Sequence, residues 1–212
     1  MHLFSRVAQI RGGPRRSIDW AMRITEKVNQ LMDVDVVLWN GTLGHPGPTL
    51  AWSAVVESRA HLEAQMAKAA VDDGFLDLAE EGADLTGGTF QDTLRSFVHM
   101  TSEPTGELPA LGAWAELVTA APAEGQLAAA MAWGVEIADR YKQVTGAEVA
   151  FMSDDYGPFG QVTWASIHES AEAADAANAA LAADADYVAA LDGAGGLFLA
   201  GSANRSAVSR IG

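Results

Sequence analysis

The chain has 212 residues, with 13 Lys plus Arg against 28 Asp plus Glu and a formal net charge of −15. Such a surface repels phosphate backbones and excludes nucleic acid as a partner; the only dense basic run, Arg11-Gly12-Gly13-Pro14-Arg15-Arg16, falls in a predicted loop. Hydrophobic residues at 49% and charged residues at 19% provide for a globular core, and the lack of cysteine excludes disulfides, thiolate metal sites and thiol nucleophiles.

The chain opens on an alternating pattern, His2 to Ile10, that predicts a strand. It lacks the basic and apolar regions of a signal peptide, and no apolar run approaches the ~18 residues of a bilayer span. A cytoplasmic protein without a membrane partner is expected. A helix follows over Ser17 to Met32, with Pro14 before it and Ser17 as N-cap; Ile18, Met22, Thr25 and Val28 recur at the spacing of one helical face. Asp35 to Asn40 and Leu50 to Glu57 read as strands joined by the Gly- and Pro-rich turn Gly41 to Pro48. A helical stretch from Arg59 to Glu81 is interrupted at Gly74 and stopped at Gly82, and Phe90 to Met100 closes the unit as a strand. Thr101 to Ala110, with Pro104, Gly106 and Pro109, has linker composition.

The same order then returns. Strands are predicted at Ala113 to Ala120, Glu148 to Met152 and Gln161 to Glu169, with a turn over Ser153 to Gly160. Helices cover Glu124 to Thr145 and the Ala-rich Ala171 to Leu191, and Leu197 to Arg210 holds the last strand. Trp-Ser-Ala-Val-Val-Glu-Ser at Trp52 matches Trp-Ala-Ser-Ile-His-Glu-Ser at Trp164, 112 residues on. The shift pairs Asp72 with Asp184 and Phe75 with Tyr187. With one more residue it pairs Trp20 with Trp133, Ile24 with Ile137, Gln30 with Gln143 and Val36 with Val149. After another small gap Phe4 falls near Trp114. The chain is a tandem duplication, residues 1–100 and 111–212 about a linker at 101–110.

Strand-helix-strand-strand-helix-strand is the ferredoxin-like unit, an antiparallel sheet with both helices on one face. Its other face is apolar and needs a cover, which the second copy supplies. On element order, length and the Trp-x4-Glu-Ser strand ends, the chain resembles the dimeric α/β-barrel superfamily, with both halves in one chain. It looks most like the antibiotic-biosynthesis monooxygenase-like branch. The resemblance implies an α+β fold of two ferredoxin-like repeats whose sheets pair into a barrel. The protein would be a monomer with an internal pseudo-dimer, or a homodimer of that.

If the sheets face each other, strand residues alternate between the helix side and the lumen. Ser53, Val55, Ala165 and Ile167 are placed on the helix side. Trp52, Ala54 and Val56, with Trp164, Ser166 and His168, are placed in the lumen, joined by Phe4 and Arg6 matched to Trp114 and Glu116. The copies differ where His168 replaces Val56 and Glu116 stands against Arg6. His168 is the candidate general base, Glu116 its orienting partner or a base itself, and Arg6 the cation for an anionic or enolate oxygen. Each has a structural alternative: a hydrogen-bonded strand histidine, and a plain Arg6–Glu116 ion pair. Trp52, Trp164, Trp114 and Phe4 are the candidate walls, equally readable as core packing, and His99 is a second candidate histidine. No metal-binding spacing, Walker sequence or nucleophile elbow is present.

The resemblance implies a cofactor-independent monooxygenase, cyclase or isomerase acting on a small hydrophobic molecule in the lumen. A haem-binding barrel with His168 or His99 as axial ligand is the cofactor-bearing alternative. A non-enzymatic ligand-binding or interaction protein is the third, favoured by a lumen filled with side chains.

Overall fold

A computed structural model describes residues 1–88, 90–103, 106–158 and 160–212. The first repeat runs β1 (His2–Gln9), α1 (Pro14–Leu31), β2 (Val37–Leu43), β3 (Thr49–Val56), α2 (Arg59–Ala69), α3 (Asp73–Thr86) and β4 (Phe90–Met100). The second runs β5 (Trp114–Ala120), α4 (Leu127–Thr145), β6 (Val149–Tyr156), β7 (Val162–His168), α5 (Ala171–Ala183), α6 (Ala185–Asp192) and β8 (Asn204–Arg210). The described residues of the 101–110 segment carry neither helix nor strand; Pro104 lies outside them. Among the described residues no helix is long and apolar enough to cross a membrane.

Each sheet has the ferredoxin-like order, β4-β1-β3-β2 and β8-β5-β7-β6. The edges of one pair with those of the other, β2 with β8 and β4 with β6, all antiparallel, and close an eight-stranded barrel. Closure leaves no unpaired edge strand, which a lone unit would expose. The α+β tandem architecture expected from the sequence is the one observed.

The helices depart from expectation at identifiable residues. The N-cap of α1 is Gly13 with Pro14 in the first turn, and Ser17 instead bonds back to the Gly13 carbonyl. The break between α2 and α3 falls at Asp72, whose carboxylate caps the Phe75 N–H, and Gly74 lies inside the first turn of α3. Gly82 does not stop α3, which runs on to Thr86 and ends at left-handed Gly87. A Cβ at Gly82 would lie 2.2 Å from Trp20, so this glycine is a notch for an indole. The Ala-rich helix of the second repeat is broken by Asp184, which caps Tyr187 as Asp72 caps Phe75.

Strand register corrects the alignment of the copies. Phe4 lies opposite Ala54 and Arg6 opposite Trp52, while Glu116 lies opposite Ser166 and Val118 opposite Trp164. The counterpart of Glu116 is therefore Phe4, that of Trp114 is His2, and that of Arg6 is Val118. The 112-residue shift holds along the first strands, and the odd residue belongs to the β1–α1 connection.

The two strand faces are also exchanged relative to the sequence reading. Trp52 donates its indole N–H to Thr25 Oγ1 at 2.8 Å, and Trp164 donates to the Gly134 carbonyl at 2.9 Å, so both face helices. Each forms a T-shaped pair with a helix indole, Trp20–Trp52 at 5.7 Å and Trp133–Trp164 at 5.8 Å. Trp20 and Trp133 in turn donate to the Leu78 and Ala190 carbonyls. A buried indole N–H without an acceptor costs about 1–3 kcal/mol, and the helix layer supplies acceptors for all four.

The lumen takes the opposite series. Val37, Trp39, Ala51, Ala115 and Val208 pack there from both sheets, with Trp39 donating to Ser53 Oγ at 2.8 Å. Buried Arg95 on β4 bonds Asp154 on β6 at 2.9 Å across the junction of the repeats, and Thr163 adds a bond to the same carboxylate. Burial raises the Asp154 pKa against the pull of Arg95. An eight-stranded barrel is just wide enough for its own side chains, and these residues occupy it.

Candidate functional site

A cavity lies on the outer side of the second sheet, between β5, β6, β7 and the helices α4, α5 and α6. Its volume is about 330 Å³, toward the small end of the ~300–1,000 Å³ usual for small-molecule sites. It exists because α6 is short. In the first repeat α3 runs on past Gly82, burying Leu85 and Thr86 against the sheet side. In the second, α6 ends at Asp192, buries no residue and gives way to Gly193-Ala194-Gly195-Gly196.

Most of the wall is apolar: Trp133 and Ile137 from α4, Trp164 from β7, Val118 and Val149 from the sheet, and Leu181 from α5. Phe151 stacks on Trp164 at 4.9 Å with its rings 23° apart, and Phe198 packs edge-on to both Trp133 and Trp164. Flat aromatic surfaces suit a flat apolar ligand.

Two polar groups interrupt this wall. The Tyr141 hydroxyl lies 3.2 Å from His168 Nε2 and donates to Ser166 Oγ at 3.3 Å; Ser166 Oγ is itself 3.3 Å from His168 Nε2. Beside them Arg205 Nη2 donates to Glu116 Oε2 at 2.5 Å and to Asn178 Oδ1 at 2.6 Å. Tyr141, Ser166, Glu116, Asn178 and Arg205 line the cavity. His168 is only 6% exposed and stands behind Tyr141 and Ser166.

Burial sets the protonation states. It lowers the His168 pKa, with Arg205 acting in the same direction and Glu116 against it. Burial raises the Tyr141 pKa, a hydrogen bond with Ser166 opposing. Near neutral pH these directions leave a neutral imidazole facing a neutral phenol.

Superposing the repeats by register shows how particular this site is. Where the second repeat has Glu116, Ser166 and His168, the first has Phe4, Ala54 and Val56. Where α4 and α5 carry Tyr141 and Asn178, the helix alignment gives Val28 and Met66. Asp92, opposite Arg6, is replaced by Arg205, opposite Val118. Five apolar positions have become polar, and all five sit in the cavity wall or bond directly to it.

The structure thus brings together His168, Glu116 and Trp164 of the sequence candidates. Arg6 belongs to the other repeat, where it pairs with Asp92 at 2.7 Å and lies over Phe4 and Phe90. Trp52 and Phe4 are likewise on the first repeat, Trp52 within its core cluster. Trp114 lies opposite His168 in register, its buried indole nitrogen without a partner among the described residues, but outside the cavity wall. His99 pairs with Asp139 at 2.7 Å, away from the cavity. Tyr141, Asn178 and Arg205 are new, while the sequence placed Ser166 only in the lumen series and Tyr187 only as the match of Phe75; comparing the copies across the helices, Val28 with Tyr141 above all, is the signal that finds them.

The cavity offers haem no histidine ligand, which would need an imidazole nitrogen open to the pocket. No histidine lines this cavity, His168 Nε2 is already held by Tyr141 and Ser166, and His99 is held by Asp139. Among the described residues no group of three or more His, Cys, Asp or Glu could hold a metal ion.

No family model matches the chain, and no curated protein does. Solved structures do. A presumed monooxygenase of Fusobacterium nucleatum superposes with a TM-score of 0.74 at 7% identity, over 100% of this chain and 92% of its own. An anthrone oxidase-like protein gives 0.67 at 14%, over 100% and 92%. A presumed monooxygenase of Lactobacillus acidophilus gives 0.63 at 11%, over 99% and 93%. These likenesses establish the fold along the whole length of the chain.

Proposed function

We propose that the protein binds a small aromatic molecule carrying an enolisable ketone or phenol and oxidises it with molecular oxygen, without a cofactor. The observation that carries this reading is a buried neutral histidine, His168, bonded to the phenol Tyr141 at the polar end of an apolar cavity. The fold shared with presumed monooxygenases and an anthrone oxidase-like protein supports it.

In this reading Trp133 and Trp164 hold the ring system, and the Tyr141 hydroxyl faces the acidic C–H or O–H. Tyr141 hands its proton to His168 as it takes one from the substrate, so His168 is the base and Tyr141 the conduit. The resulting imidazolium is stabilised by Glu116, and Arg205 faces the enolate oxygen. For a ring methylene, loss of one C–H proton gives the enolate, whose electron pair adds to O2 as a peroxide at that carbon. Loss of the second C–H proton with O–O cleavage yields a carbonyl and water. One oxygen atom enters the substrate and the other leaves as water.

Oxygen uptake with 1,8-dihydroxyanthrone tests this. The wild type accelerates uptake over buffer, and His168→Ala lowers the rate about 10²- to 10⁴-fold, the range for a lost general base, while still binding the compound. Equal uptake by both proteins would sink the mechanism. Tight binding without turnover would instead support ligand storage, a reading favoured by an Arg205 already engaged by Glu116 and Asn178.

A further inference from the structure

Tyr187 is another cavity position at which the repeats differ. It is the counterpart of Phe75, and its backbone is pinned in the same way: the Phe75 N–H donates to Asp72 Oδ1 at 2.8 Å and the Tyr187 N–H to Asp184 Oδ1 at 2.7 Å. The two capping carboxylates are matched too, Asp72 held by Lys27 and Asp184 by Arg140. With main chain and cap reproduced, the difference between the copies here is one hydroxyl group.

That hydroxyl is placed without a protein partner. Tyr187 lines the cavity, its ring is edge-on to Tyr141 with centroids 6.5 Å apart, and its oxygen makes no hydrogen bond with a described residue. A half-buried phenol retains one O–H to donate, which water or a ligand entering the cavity can accept. α6 presents it firmly, since Arg140 grips Asp184 and Asp186 at one end and Trp133 donates to the Ala190 carbonyl at the other.

We propose that Tyr187 is a specificity-determining residue: its hydroxyl, joined by that of Tyr141 once Tyr141 has taken the ligand's O–H proton, donates to the resulting anionic oxygen of the ligand. This rests on the cavity being the ligand site. Two phenols make a suitable pair of donors because burial raises the pKa of both, so each is protonated once the ligand has lost its proton. Arg205 is the nearby cation common to both phenols, which favours negative charge on the ligand over negative charge on the protein.

The test uses 4-nitro-1-naphthol, coloured as its anion, and 1-nitronaphthalene, which lacks the hydroxyl. Each is titrated with wild type, Tyr187→Phe, Tyr141→Phe and the double variant, with thermal midpoints to confirm folding. The wild type lowers the pKa of bound nitronaphthol below its value in water. Tyr187→Phe raises the bound value by about one pH unit and weakens binding of the anion about tenfold, while 1-nitronaphthalene binds both proteins within about twofold. The double variant loses more than either single one. An unchanged bound pKa in Tyr187→Phe would reduce Tyr187 to a wall of the cavity and leave the proposed site standing. If neither compound bound the wild type, the ligand site and this assignment would fall together.

Discussion

Gly134 lies in the middle of α4 with ordinary helical geometry, so on an open helix face its replacement by alanine would stabilise by about 1 kcal/mol. Here the added Cβ would lie 2.3 Å from Phe151 Cζ and 2.7 Å from both of its Cε atoms. Phe151 is fully buried and stacked on Trp164, whose N–H in turn bonds the Gly134 carbonyl. The ring has no free direction, and relieving the overlap moves Phe151 onto the indole that walls the cavity. Overpacking of a tight core costs roughly 1–3 kcal/mol and often more when aromatic rings must shift. After the helix gain is subtracted, Gly134→Ala is expected to destabilise by about 0–2 kcal/mol, up to roughly 8 °C in thermal midpoint for a chain of this size. Phe151→Leu should rescue it, with a coupling of at least about 0.5 kcal/mol in a double-mutant cycle read by urea unfolding. A raised midpoint for Gly134→Ala alone would refute the packing described here.

Four further outcomes follow from the same geometry. His168 has its pKa lowered in the fold, so the unfolded chain protonates first on acidification. Stability should fall from the ordinary imidazole range, about 6.5, down to the folded value; His168→Gln should flatten that slope in melts at pH 7 and pH 5, and wild-type kcat/KM should hold until pH drops below the same range. Because Trp20, Gly82 and Leu85 fill the equivalent space in the first repeat, calorimetry should give one ligand per chain, not two. Asp154→Ala leaves Arg95 as an unpaired buried charge and should cost about 3–5 kcal/mol by urea unfolding, with Arg95→Met/Asp154→Leu recovering most of it. Installing the first repeat's Val28, Ala54 and Val56 at their counterparts, as Tyr141→Val/Ser166→Ala/His168→Val, should abolish turnover while leaving the fold at least as stable by thermal midpoint.

The duplication was legible because indoles are rare and their spacing repeats, and the reason is now physical: each copy builds the same T-shaped pair with the same carbonyl acceptor on its last helix. Strand alternation was legible as well, but alternation says only that two faces differ, and the assignment of faces turned on where Trp52 and Trp164 find acceptors. Thr25 Oγ1 and the Gly134 carbonyl lie on helices, a relation between residues 27 and 30 positions apart that no local pattern displays. Gly82 carries the composition of a helix stop, and only the indole against it reveals a notch. The same limit applied to the site. His168 was found by comparing strands, whereas Arg205 was missed because its partner Glu116 lies 89 residues away.

The asymmetry of the copies also explains why the open site is tolerated. Converting Phe4, Val28, Ala54, Val56 and Met66 to their polar counterparts removes apolar contacts and leaves space, which a lone unit of ~100 residues could scarcely absorb. Here both sheets share one barrel, closed through β2–β8 and β4–β6, so the second sheet is held by strands of the first at both edges. The first repeat keeps the complete indole and aliphatic core, with Trp20, Leu38, Leu50 and Leu85 all nearly inaccessible. The first copy therefore contributes the more completely filled helix layer, and the candidate site lies in the copy that the barrel holds in shape. In a two-chain barrel of identical halves, each polar substitution would appear twice and weaken both sides. Fusing the halves is what lets His168 and Tyr141 exist once.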